Sequence, residues 1–238
     1  MVTLTIDDQE VKAKEGSTIL EAALEEGIYI PTLCYYERVS PAGVCRLCSV
    51  EIFRDGHSRI VASCLYPVEE GLVVKTDTER VMNIRKMTVE LLLARCPDVK
   101  VIQDLAHKFG VERTEFTLED KKCILCGLCA RVCEEIVGVG AISLVGRGTE
   151  RIVNTPFLEE PGACIGCGSC AFVCPTSAIR MEDIGDTRTI YRWKRKVEFK
   201  LKQCKSCGRY WATEAQIEHM KKKTGLPEEF FEVCPNCR

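Results

Sequence analysis

KCILCGLCARVC, residues 122–133, and CIGCGSCAFVCP, residues 164–175, are two copies of one pattern, C-x2-C-x2-C-x3-C, with Pro175 closing the second. The cysteines are Cys123, Cys126, Cys129 and Cys133, then Cys164, Cys167, Cys170 and Cys174. Three thiolates on one tight loop bind three irons of a cube. The fourth, on the turn leading into a helix, reaches a different cube, so that in chains with two such runs the fourth cysteine of each ligates the other cluster. The spacing predicts one [4Fe–4S] site from Cys123, Cys126, Cys129 and Cys174 and a second from Cys164, Cys167, Cys170 and Cys133. Gly127, Gly166 and Gly168 suit loops whose backbone comes close to a cluster, because glycine tolerates positive φ and has no side chain to obstruct approach. The competing reading is a pair of disulfide-stapled or zinc-bound loops.

Around this stretch the chain has 238 residues, 46% of them hydrophobic, and 17 cysteines. The cysteines fall into three separated groups, which favours several small metal-held modules over one large core. Lys and Arg number 33 against 35 acidic residues, so a global basic field for nucleic acid is absent. Met1 to Glu10 alternates apolar and polar residues without the basic start or apolar run of a secretory leader, and no stretch approaches a membrane span. A cytoplasmic protein is expected, in which thiols stay reduced and such cysteines mean metal more often than disulfide.

Val2 to Ile6 and Glu10 to Lys14 alternate about Asp7 and Asp8, a hairpin signal. Thr18 and Glu21 match a capping box ahead of an apolar face of Ile19, Leu20, Ala23 and Leu24, and Gly27 is a helix stop. Strands are expected at Ser49 to Phe53, Ile60 to Cys64 and Leu72 to Lys75, which together give a β-grasp order. Within it Cys34, Cys45, Cys48 and Cys64 supply four thiolates, enough for a [2Fe–2S] centre. Their first gap, C-x10-C, is longer than the four-residue gap of plant-type ferredoxins. A zinc site or four unrelated cysteines is the alternative.

Gly43, Val44, Cys45, Arg46, Leu47 and Cys48, followed by Ser49, Val50 and Glu51, resemble the G-x-C-R-x-C segment of the large iron–sulfur subunit of respiratory complex I. The same arrangement occurs in diaphorase small subunits of NAD-reducing hydrogenases and in related subunits of formate dehydrogenases and flavin-based bifurcating enzymes. The resemblance covers roughly residues 1 to 185. It implies a non-catalytic electron-relay subunit docked to an NAD(P)(H)-binding flavoprotein and to a further redox subunit, a hydrogenase, a formate dehydrogenase or a ferredoxin. Those relatives usually carry an H-x3-C-x2-C-x5-C site after a Leu-rich helix. Here Leu91 to Pro97 resembles the approach, yet no cysteine follows Cys96 until Cys123, so that cluster is expected to be absent and Cys96 to be a small buried residue.

Helices are expected over Thr78 to Arg95 and Val99 to Phe109, the second stopped by Gly110. A short hairpin is expected from Ala141 to Val145 and Arg151 to Thr155. Glu134 and Glu135 follow Cys133, where negative charge near the second cube would lower its potential; a solvated acidic helix start is the bland alternative. After Gly185, Thr187 to Trp193 and Lys196 to Lys202 read as paired strands. Their basic run, Arg192, Lys194, Arg195, Lys196, Lys200 and Lys202, is either a docking strip for an acidic partner or an edge kept soluble by its charge. Cys204, Cys207, Cys234 and Cys237 then form two C-x2-C knuckles 26 residues apart, with a helix capped by Thr213 and Gln216 and ended by Gly225 between them. This reads as a zinc-ribbon-like site, although a third [4Fe–4S] cluster has the same ligand count.

The expected fold is thus α+β in four parts: a β-grasp [2Fe–2S] domain over residues 1–78, a helical linker over 79–118, a bacterial-type 2[4Fe–4S] ferredoxin domain over 119–185 and a four-cysteine tail over 186–238. The expected cofactors are one [2Fe–2S] centre, two [4Fe–4S] cubes and one zinc or further cluster. Two other readings compete. A succinate dehydrogenase or fumarate reductase type of iron–sulfur subunit is opposed by the long Cys34 to Cys45 gap, the complete eight-cysteine set and the tail. An interaction or nucleic-acid module with structural clusters would rest on the tail's cysteines and basic run. His57, His107 and His219 have no ligand company, and no phosphate loop or catalytic triad is present.

Overall fold

The computed structural model describes residues 1–116, 122–155, 158, 162–192 and 195–238. The expected linker boundary after residue 118, the strand end at Trp193 and Lys194 of the basic run lie outside the described residues. The chain divides into two compact units, Met1–Cys126 and Gly127–Arg238.

In the first unit, Val2–Ile6 (β1) and Gln9–Ala13 (β2) pair antiparallel with Leu4 opposite Val11, across a turn in which Asp7 and Asp8 both take positive φ. The helix Ile19–Glu25 (α1) starts with the full capping box: Glu21 N donates to Thr18 Oγ1, and Thr18 N donates to the Glu21 carboxylate. Its Ile19, Leu20, Ala22 and Ala23 bury against Leu4, Ile6, Val11, Val50, Ile52 and Val74 of the sheet. That sheet is completed by Ser49–Arg54 (β3), His57–Ala62 (β4) and Val73–Lys75 (β5) in the order β2-β1-β5-β3-β4, with only the β1 and β5 pair parallel. β4 begins earlier than its apolar run suggests because Asp55-Gly56, both at positive φ, turn the chain tightly enough for His57 to pair with Arg54.

Glu79–Arg95 (α2), capped by Thr78, and Lys100–Phe109 (α3), ended by left-handed Gly110, follow the sheet as their spacing predicts. Cys96, fully buried, sits at the corner between them. α2 is tied to the sheet by polar groups as well as by Val81 and Val89. Glu51 of β3, 4% exposed, accepts hydrogen bonds from Thr78 Oγ1 at 2.7 Å and Ser58 Oγ at 2.8 Å and pairs with Arg80.

In the second unit, Leu128–Arg131 (α4) runs into a π-type turn at Val132–Ile136, and Ser143–Val145 (β6) pairs with Ile152–Asn154 (β7). Ser169–Phe172 (α5) precedes a four-stranded antiparallel sheet of Ile179–Ile184 (β8), Thr187–Arg192 (β9), Arg195–Gln203 (β10) and Tyr210–Thr213 (β11) in the order β11-β10-β9-β8. The β9 and β10 pairing is the one expected from sequence. β8 pairs with β9 directly across Gly185 and Asp186, so the strands on either side of that expected domain boundary belong to one sheet. Glu214–Thr224 (α6) closes the unit, capped by Thr213 and stopped by left-handed Gly225.

The Glu51 carboxyl is held below its ordinary value of 4.5, first by the Thr78 hydroxyl and then by Ser58. A depressed carboxylate stabilises the fold fully above that ordinary value and loses its contribution as the pH falls through the depressed one. Glu51→Ala, which removes the acceptor of the Thr78 and Ser58 hydroxyls and the partner of Arg80, is expected to cost about 1 kcal/mol at neutral pH. Denaturant midpoints of wild type and variant should converge as the solution is acidified below that range.

Candidate metal centres

The loop between α1 and β3 brings Cys34, Cys45 and Cys48 together with Cys64, which follows β4. All four thiols are buried, at 8% exposure or less. They associate in two pairs: Cys45 N lies 3.4 Å from Cys34 Sγ, with the two thiols hydrogen-bonded to each other, and Cys48 Sγ lies 3.4 Å from Cys64 Sγ. Within each pair the proton is contested. The partner thiol raises Cys45 and Cys64 far above the ordinary range, while Cys48, hydrogen-bonded to Cys64, is drawn down to about 6. Protons crowded onto buried sulfur in this way are what a metal displaces. A two-plus-two thiol set suits a centre of two irons, each completed by two thiolates.

The backbone of this loop is constrained. Gly43 takes φ +61°, and a Cβ there would stand 2.3 Å from Leu65 Cδ1. Arg85 of α2, 4% exposed, donates Nε to Leu47 O at 3.1 Å and Nη2 to Ser49 O at 2.9 Å, clasping the chain on both sides of Cys48. Arg85 is not singled out by the sequence, where its helical spacing from Val81 and Val89 is the one available signal.

The two C-x2-C-x2-C-x3-C runs share a local design. In each, a left-handed glycine, Gly127 or Gly168, precedes a one-turn helix that carries the third cysteine, Cys129 on α4 and Cys170 on α5. One residue before the second cysteine the chain is again left-handed, at Leu125 (φ 54°) in the first run and Gly166 (φ 67°) in the second. Cys123 and Cys126 end the first unit, whereas Cys129 and Cys174 belong to the second. Arg95 donates to the Cys123 carbonyl at 2.6 Å.

In the second unit, Cys133 lines one pocket together with Cys164, Cys167 and Cys170, so the fourth cysteine of the first run meets the first three of the second. Burial raises the Cys133 thiol and pushes Cys170 up to about 12. A backbone donor already points at one sulfur, Ala141 N lying 3.3 Å from Cys133 Sγ, while the Cys167 thiol donates to the Ser169 hydroxyl at 3.4 Å. The donor set, four convergent thiols in a mainly apolar pocket with a backbone amide donor beside Cys133, fits a cubane. Glu134 and Glu135 are exposed to solvent, and the groups acting on Cys133 are burial, Ala141, Ile142, Cys167 and Cys164.

The C-terminal sheet forms the wall of this pocket. A Cβ on Gly166 would stand 2.5 Å from the Phe199 ring of β10, and one on Gly168 would stand 2.2 Å from Met181 Sδ of β8. Arg188 Nη1 reaches Gly166 O at 3.3 Å, and the Thr213 hydroxyl donates to Ile165 O. Thr213 caps α6 as its sequence context predicts, but its second role depends on tertiary contact that no local pattern encodes.

Cys204, Cys207, Cys234 and Cys237 converge with all four sulfurs within 4.8 Å of one another. Gly208 N donates to Cys204 O in the first knuckle and Cys237 N to Cys234 O in the second. Cys234 N lies 3.2 Å from Cys204 Sγ. Backbone N–H groups, that of Cys207 foremost, draw Cys204 down to about 6, and the neighbouring thiols Cys207 and Cys234 push Cys237 up to about 12. These four residues fit one tetrahedral ion or one cluster. His57, His107 and His219 join none of these groups.

Residues 1–79 match the family model of a 2Fe-2S iron-sulfur cluster binding domain, and residues 117–181 and 163–215 match models of 4Fe-4S dicluster domains. The chain is 38% identical over 180 residues to the NADPH-Fe(3+) oxidoreductase subunit alpha of Geobacter sulfurreducens (strain DL-1 / KN400), covering 65% of this chain and 21% of that protein. It is 35% identical over 180 residues to the NADH-ubiquinone oxidoreductase 75 kDa subunit of Reclinomonas americana, covering 65% of this chain and 26% of that protein. The chain thus spans only about a fifth to a quarter of the length of these curated relatives. A chain in the crystal structure of an NAD+-reducing [NiFe]-hydrogenase in the H2-reduced state superposes with a TM-score of 0.58 at 32% identity, over 65% of this chain and 74% of that one. Sequence, cysteine geometry and structural likeness agree, and the chain belongs to the family of iron–sulfur electron-transfer subunits related to the 75 kDa subunit of NADH-ubiquinone oxidoreductase and to NAD-reducing hydrogenase subunits.

Proposed function

We propose that this chain relays single electrons between an NAD(P)(H)-binding flavoprotein subunit and a second redox subunit, a hydrogenase, a formate dehydrogenase or a ferredoxin. The observation that carries the reading is the pocket in which Cys133 meets Cys164, Cys167 and Cys170. A thiol borrowed from the other run is the arrangement that two adjacent cubes require, and independent metal-binding loops do not. The clusters, when bound, supply one-electron redox chemistry at iron.

The chain's own residues hold, shield and tune. Cys34 and Cys45 would hold one iron of a [2Fe–2S] centre in a β-grasp domain over residues 1–78, and Cys48 and Cys64 the other. Cys164, Cys167, Cys170 and Cys133 would hold one cube, and Cys123, Cys126, Cys129 and Cys174 the other, in a ferredoxin domain over residues 119–185 that follows a helical linker over 79–118. The Ala141 N–H directed at Cys133 Sγ stabilises negative charge on that sulfur. For the tail over residues 186–238 the reading is a zinc-ribbon-like site, supported by two knuckles that bring four sulfurs within 4.8 Å. Among the described residues no helix is long and apolar enough to cross a membrane.

Two experiments test this. In anaerobically prepared protein, Cys133→Ala should remove the EPR signal of the cube held by Cys164, Cys167 and Cys170, and Cys174→Ala that of the other; loss of the cube from the mutated cysteine's own run would contradict the crossed pairing. Quantifying metals in Cys204→Ser should show one zinc fewer per chain with iron unchanged, and a drop in iron instead would make the tail a cluster site.

A further inference from the structure

β9 alternates, so Arg188, Ile190 and Arg192 share one face, and Ile190 and Arg192 of that face line the pocket of Cys133, Cys164, Cys167 and Cys170. The two arginines are met differently. Arg188 donates Nε and Nη2, each at 2.8 Å, to the Asp183 carboxylate, so its charge is matched while Nη1 steadies the Gly166 carbonyl. Arg192 is 5% exposed and reaches with Nη2 to 3.8 Å from Cys164 Sγ. Among the described residues no carboxylate lies within ion-pair distance of it. A buried guanidinium without a carboxylate is expensive unless another negative group faces it, and a thiolate-bound cube is such a group.

Resting on the ligand set proposed above, we propose that Arg192 is a positioning and potential-setting residue that raises the reduction potential of the cube held by Cys133, Cys164, Cys167 and Cys170. One electron, delivered in the complex by the reduced flavoprotein and in vitro by dithionite, makes that cube one charge unit more negative, with no bond broken and no proton moved. A fixed cation in a poorly solvated pocket favours the more negative state. In sequence Arg192 opens a basic strip; the strand's alternation turns it inward, while Arg195 and Lys196 stay exposed.

Potentiometric EPR on the full chain with its clusters loaded tests this with Arg192→Gln, Arg192→Met and Arg192→Lys. In the Gln and Met variants the reduction equilibrium of one cube should shift about tenfold toward the oxidised form, about 59 mV for a one-electron couple, with the other cube and the [2Fe–2S] centre unmoved. The Lys variant should stay near wild type. An unmoved midpoint in an uncharged variant that retains full iron overturns the proposal, as does a Lys variant that behaves like Gln. Loss of the cube from both uncharged variants, whether or not Lys keeps it, overturns the potential-setting role by showing that Arg192 is needed to assemble the site. Wild-type protein with no signal from this cube would instead refute the ligand set.

Discussion

The second cysteine loop and the C-terminal sheet approach each other so closely that two of the loop's residues have no room for a side chain. Gly166 lies under the Phe199 ring and Gly168 under the Met181 sulfur. Both also take positive φ, so either substitution would meet a steric and a backbone penalty together. In the first run Leu125 occupies the position of Gly166 in the left-handed region, at a cost of about 1–2 kcal/mol. At position 166 glycine is therefore demanded by the neighbouring sheet and not by the cysteine pattern, whereas the left-handed glycine at 168 has its counterpart in Gly127. The sheet that in sequence belongs to a separate tail is structurally the back wall of a cluster pocket.

That wall explains the distribution of polar groups. Arg188 with Asp183, the Thr213 hydroxyl on Ile165 O and Arg192 beside Cys164 all project onto the same loop from β8, β9 and the start of α6. In the first unit a parallel solution occurs, with Arg85 of α2 holding the carbonyls on both sides of Cys48. In both places a buried guanidinium holds or faces a cysteine loop. Such an arrangement places positive charge beside convergent thiols, and at Cys48 it fixes the loop through backbone carbonyls.

What the sequence discloses and what it hides divide by range. Capping at Thr18, Thr78 and Thr213, stops at Gly110 and Gly225 and the cysteine spacings are local patterns, and each is read directly from neighbouring residues. β8 gives no such signal, because five of its six residues face solvent and its segment, Ile-Arg-Met-Glu-Asp-Ile, alternates poorly. Gly185, which in sequence marks a domain boundary, turns a hairpin within one sheet. Arg85 and Arg192 do not stand out from ordinary surface charge, because burial of a long cation is decided by distant chain segments. The basic run is correspondingly split: β10 pairs with β9 over Arg195–Lys200 and with β11 only from Leu201, so its basic half is an edge among the described strands while Arg192 is interior.

The central claim is that three thiol constellations hold one two-iron centre and two cubes in a single chain. Mössbauer spectroscopy of the protein isolated anaerobically from iron-57-grown cells measures this without reference to any partner. One [2Fe–2S] component and two [4Fe–4S] components are predicted, about ten irons outside the tail. A spectrum lacking the two-iron component, or containing a single cube, would contradict the claim.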